Sequence, residues 1–175
     1  MKNSDQPKMD NLKWTFDKKK CLLMNNDETI LELIEDKPTK ALFNYNGNDY
    51  RIRNEGFWNP VTIIESDGNT ILILKRHFLG SKAKVEFNTG KIVTCKVRNS
   101  PLVNLSFLSD DGTEILNYRL QSSLNPNAVE PVMTVTPKAL VIEELIMLIV
   151  LGFYSFRGIA TENSDADFII MTAGA

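Results

Sequence analysis

Residues 139–156, ALVIEELIMLIVLGFYSF, predict a helix that is apolar on nearly every side, after a long stretch that reads as short strands and turns. A helix of that kind has to be enclosed, either by lipid or by the rest of its own protein. A membrane span needs about 20 predominantly apolar residues for a hydrocarbon core roughly 30 Å thick. The uninterrupted apolar part, residues 145–154, covers only about 15 Å at helical rise. Lengthening it toward the N-terminus takes in Glu143 and Glu144, and toward the C-terminus Arg157. Charges at bilayer depth are costly. The expectation is a buried core helix and no transmembrane span.

The helix is expected over about residues 138–157, with Thr136 as N-cap and Pro137 in the first turn, where its missing N–H costs nothing. Glu143 and Glu144 fall early in it. Neighbours on a helix point about 100° apart and do not share a site, so the pair reads as a polar rim at the mouth of an enclosure and not as paired catalytic carboxylates. Gly152 and Gly158 are the expected places for a bend and a stop.

Upstream, turn signals keep a regular beat. Asn46-Gly47, Asp67-Gly68, Thr89-Gly90 and Asp111-Gly112 recur at intervals of about 22 residues, with weaker breakers midway at 56–60, 79–81 and 99–101. Such dipeptides supply the positive φ angles of tight hairpins. Strand-like runs lie between them at 29–34, 40–45, 49–53, 61–65, 69–75, 83–87, 91–98, 102–108, 114–120 and 129–135. In 91–98, Val93, Cys95 and Val97 share one face, while Ile92, Thr94, Lys96 and Arg98 share the other. Ile71 to Leu74 are apolar on both faces and want cover on both sides. The fold class that satisfies all of this is mainly β: a closed antiparallel barrel of about a dozen strands enclosing one apolar C-terminal helix. Closure also removes the exposed edges of so long a sheet. Residues 1–10 read as a tail, 11–158 as a single domain, and 159–175 as a C-terminal tail whose apolar run, 168–171, has room for one further strand.

Composition narrows the function classes. The formal charge of −2 gives no global attraction to nucleic acid. Two cysteines are too few for a disulfide framework, and the N-terminal residues lack the apolar core of a signal peptide, so a cytoplasmic setting is expected. His77 is the single histidine, which excludes His-cluster metal sites and most His-dependent triads. There is no CxxC, Walker loop or GxGxxG. Cys21 follows Lys18, Lys19 and Lys20, a setting that favours a thiolate, but it reads better as a partly buried residue at a strand start. Cys95 reads as core. No cofactor, metal or catalytic residue is expected, and the chain reads as a non-enzyme.

One charge feature stands out. From residue 75 to 98 there are seven basic residues, Lys75, Arg76, Lys82, Lys84, Lys91, Lys96 and Arg98, against one acid, Glu86. Residues 27–36 carry five acids and no base. The plain reading is solvated strand faces with lysines that discourage edge pairing. The functional reading is a basic face, with Lys75, Arg76, Lys82, Lys84, Lys96 and Arg98 as candidate ligand-binding residues for phosphate-bearing partners such as lipid headgroups.

A meander of about a dozen strands followed by one very apolar helix resembles the tubby C-terminal-like superfamily, and within it the LURP-one-related and phospholipid-scramblase-like branch. The likeness covers about residues 11–158 and rests on element order. The apolar strand ending in a basic pair, Ile71-Leu-Ile-Leu-Lys-Arg76, and the helix are its local matches. The resemblance implies a helix threaded through a closed barrel, and a binding module meeting anionic phospholipid at the membrane periphery. No lipid-binding residue carries over. The chain departs from the family in continuing past the helix through residues 160–175. The alternative is a protein–protein interaction domain using aromatics near Gly56-Phe-Trp58. A carrier with an open internal cavity is disfavoured, because the helix would fill it.

Overall fold

A computed structural model describes residues 11–17, 20–37, 40–56, 60–76, 82–98, 102–122, 129–136 and 140–163. Among them are twelve strands: β1 Leu12–Asp17, β2 Lys20–Asn25, β3 Glu28–Lys37, β4 Lys40–Tyr45, β5 Asn48–Glu55 and β6 Val61–Ser66, then β7 Asn69–Arg76, β8 Lys82–Phe87, β9 Ile92–Arg98, β10 Asn104–Leu108, β11 Glu114–Ser122 and β12 Val129–Val135. One helix follows, α1 Ile142–Asn163. Each strand pairs antiparallel with its sequence neighbour, in the order β1 to β12. The expected barrel of about a dozen antiparallel strands with one C-terminal helix is what the chain forms.

Turn chemistry sets the register. Asn46 and Gly47 (φ 50° and 77°), like Asp67 and Gly68 (50° and 76°), are both left-handed, the two-residue geometry that matches strand twist. In β4 and β8 the burial alternates residue by residue, so one face of each strand is core and the other solvent. Leu23, Leu33, Ile52, Ile64, Leu72, Val85, Leu105, Phe107 and Leu116 are all at most 1% exposed and line the interior. Ile73 lies directly opposite Ile63 on the outside, so the outer apolar residues of β7 find cover from β6.

The helix fills that interior. Leu145 to Leu151 are each no more than 2% exposed, which no single-sided helix achieves. Among the described residues no helix is long and apolar enough to cross a membrane. Its approach is closest to β10 and β11. A Cβ built on Gly152 would stand 2.6 Å from Tyr118 Cε2 and 3.0 Å from Phe107 Cε2. The Tyr118 hydroxyl donates to the Ile149 carbonyl at 2.9 Å and accepts from Trp14 Nε1 at 2.9 Å, while the Trp14 ring stacks on Phe153 at 4.0 Å. Trp14 thus ties β1 to the helix and to β11, across the seam where the barrel closes. At that seam β1 pairs only with β2 and β12 only with β11 among the described residues, so closure is nearly complete and not by backbone pairing.

Several expectations need correcting. The helix begins at Ile142, not near 138, and runs to Asn163, beyond 157. Thr136 is not its N-cap: its backbone N–H extends the β11–β12 ladder by donating to Ile115 O at 2.7 Å. Val141 O accepts the first helical bond, from Leu145 N. Gly158 makes no stop, since it lies within α1. β1 lies outside the expected strands, and β2 is expected only at its start, at Cys21. The tails at 1–10 and 164–175, Pro137, His77, Phe57 and Trp58 lie outside the described residues.

Candidate functional site

The outer faces of β7, β8 and β9 carry the basic cluster, and strand register decides which cations meet. Lys75 pairs directly with Lys84 across β7–β8, and Lys82 with Lys96 across β8–β9. All four side chains are exposed. Arg98 stands two residues beyond Lys96 on the same face, opposite Asn104, whose other neighbour is Arg119 of β11. The face therefore holds Lys75, Lys82, Lys84, Lys96, Arg98 and Arg119. Like charges directly opposite on a sheet destabilise it. Only Lys75 is neutralised, by Glu86 at 2.6 Å; Lys82, Lys84, Lys96, Arg98 and Arg119 make no ion pair among the described residues.

Arg76 does not join this face. It pairs with Ala83, which is 6% exposed and itself opposite Cys95, so Arg76 points to the inner side. There its charge lowers the pKa of Cys95 and of Tyr154, in each case against the larger upward push of burial. The reason is strand parity: Lys75 and Arg76 are adjacent and must face opposite ways. Lys91 leaves the cluster too. It ion-pairs with Glu144 at 2.7 Å, and Thr89 Oγ1 donates to the same carboxylate at 2.9 Å. Glu144 is 9% exposed and Glu143 exposed, as a rim residue and its neighbour should be.

Arg119 was missed by reading charge along the chain, because it lies far from residues 75–98. Its signal was the apolar–polar alternation of residues 116–120, which puts residue 119 on the face opposite Tyr118. Beside it, a polar network floors the edge of the face. Asn117 Nδ2 donates to Ser106 Oγ (2.8 Å), Asn104 Oδ1 (3.1 Å) and Glu114 Oε2 (3.3 Å). Guanidinium and ammonium groups over a polar floor can take a phosphate through charge-assisted hydrogen bonds.

Other chemistry finds little footing. Among the described residues no group of three or more His, Cys, Asp or Glu side chains could hold a metal ion. Burial pushes the Cys95 thiol up to about 12. The Cys21 thiol is also raised, by burial first, although Arg157 Nη1 lies 3.4 Å away and opposes the shift. Both thiols are therefore held protonated near neutral pH, the wrong state for a nucleophile. Comparison with protein-family models, with curated proteins and with solved structures returned no match.

Proposed function

We propose that this barrel is a non-enzymatic binding module whose basic face takes a phosphate-bearing ligand, with anionic lipid headgroups as the favoured source. The observation that carries the proposal is the double like-charge pairing, Lys75 with Lys84 and Lys82 with Lys96, in a near-neutral chain. A sheet under no functional demand gains by placing an acid opposite one of those lysines. The order of elements supports, as part of the same proposal, membership of the tubby-like superfamily in its LURP-one-related and scramblase-like branch. It also supports a cytoplasmic protein acting peripherally at the membrane.

Each basic residue near an anionic bilayer contributes about 1 kcal/mol, within a Debye length of about 10 Å at 0.1 M salt. Flotation with phosphatidylserine-containing vesicles should show weak binding that neutral vesicles do not, fading as salt rises. Changing Lys82, Lys84, Lys96 and Arg98 together to Ser should abolish it, and Arg119→Ser alone should weaken it. Binding that survives both the fourfold change and high salt removes this surface from consideration. No vesicle binding at all favours the second reading, a protein partner. For that reading the supporting observation is Ile34 and Leu42, directly opposite each other on β3 and β4 and 39% and 41% exposed.

A further inference from the structure

We propose that the seam between β1 and β12 is a second binding site, which takes the chain of a single-chain anionic amphiphile of the fatty-acid carboxylate class. The proposal stands apart from the basic face. A cavity of about 230 Å³ lies in the seam, walled by Leu12, Trp14, Val132, Met133, Tyr118 and Phe153, with Lys13 at its rim. It is larger than the roughly 150 Å³ apolar cavity that admits benzene, and smaller than the roughly 300–1,000 Å³ pockets of drug-sized ligands. A short or partly inserted alkyl chain matches that size.

Three observations choose the occupant. The cavity wall is aliphatic and aromatic, and its two aromatic polar atoms are already engaged, Trp14 Nε1 with the Tyr118 hydroxyl and that hydroxyl with Ile149 O. The side chains around Trp14 therefore leave no free aromatic donor or acceptor and accept methylenes. The charged side chain in the lining is a cation, Lys13, which is exposed and makes no ion pair among the described residues. Among the described residues the strands on either side are sheet edges, whose unpaired backbone N–H groups can donate to the carboxylate end at the mouth. An anionic head on Lys13 with its chain running inward past Trp14 satisfies all three.

Trp14 is the built-in reporter. The chain has two tryptophans, so a Trp58→Phe background leaves Trp14 alone to emit. Titrating that protein with acetate, hexanoate and octanoate should give no change for acetate. The longer acids should give a saturable change, tightening roughly fourfold per added methylene until the cavity is full. Octyltrimethylammonium, with the same chain and the opposite charge, should bind more weakly. Lys13→Glu should weaken octanoate by about fivefold and reverse the charge preference. Met133→Phe, which puts a ring on the inner face opposite Tyr118, should abolish the saturable change. If Met133→Phe does not fold, the exposed Lys13→Glu still decides. No saturable response to octanoate overturns the proposal, as does a response indifferent to head charge and to both substitutions. The Ser variant of the basic face should titrate unchanged, so failure at either site is read separately.

Discussion

At Gly152 the absent side chain is what lets the helix lie against the sheet. A Cβ there meets the Tyr118 ring at 2.6 Å, and that ring cannot easily give way, because its hydroxyl is bonded on both sides and it is 2% exposed. Gly158 sits in the same helix, exposed, with nothing within 4 Å of a built Cβ. The same substitution should therefore have opposite signs. Gly152→Ala overpacks the core and should cost about 1–3 kcal/mol even after the helix-propensity gain. Gly158→Ala keeps only that gain and should stabilise by about 0.5–1 kcal/mol. Urea midpoints of the two variants measure both; a common sign would mean the helix does not touch β10 and β11 as described. The sequence marked both glycines but could not separate them, since the contact depends on Phe107 and Tyr118, dozens of residues away. The buried thiols add a pH test. Unfolded, Cys95 loses its proton near 9.0; folded, it holds the proton to about 12. Its contribution is complete below the unfolded value and is lost as pH rises through the folded one. Urea midpoints should fall from about pH 9 upward, and less steeply in Cys95→Val.

Among the elements, the strands that abut a glycine turn were the most legible. β4 and β12 fall at the expected residues, and β7, β8 and β9 within one residue at either end. β4, β7, β8 and β9 each abut a Gly turn; β12 does not, and is legible from its β-branched and apolar content alone. β1 was not legible, and β2 only at its start near Cys21, because Leu12–Asp17 and Lys20–Asn25 lack a glycine turn; the left-handed residue that closes β2 onto β3 is Asn26, at φ 55°. The helix was legible in kind but displaced, because Thr136 goes to the β11–β12 ladder instead of the cap. Toward its far end a contact no local pattern shows ties it to β3: Arg157 pairs with Glu35 at 2.6 Å. What the enclosure tolerates can be read from its acid. Glu144 is accepted at the rim because Thr89 and Lys91 meet it. Leu148, one turn further in and 0% exposed, belongs to the hydrophobic core cluster. Leu148→Asp should cost several kcal/mol, a large part of the roughly 5–15 kcal/mol that holds a domain together. Thermal melting should show loss of the cooperative transition; a curve near wild type would place residue 148 in solvent.

On the scale of the whole molecule, the barrel and its helix depend on each other in an order set by the chain. Every strand pairs with its sequence neighbour, so the hairpins are local and each is quick to form. Their inner faces, from Leu23 on β2 to Leu116 on β11, are buried against a helix that lies after all of them in sequence. Closure of the barrel was legible because so much apolar strand surface needs an interior. The seam was not, since the crossing from Trp14 to Tyr118 joins residues 104 apart. A chain ended after Thr136 keeps every strand but has no filler, and a hollow interior lined with Leu, Ile, Val and Phe cannot stay open in water. Such a truncated chain should keep its β-sheet circular dichroism, lose its near-ultraviolet signal, bind a hydrophobic dye and unfold without a sharp transition. A sharp transition in the truncated chain would show that the strands make their own core, and would turn the helix from a keystone into a passenger.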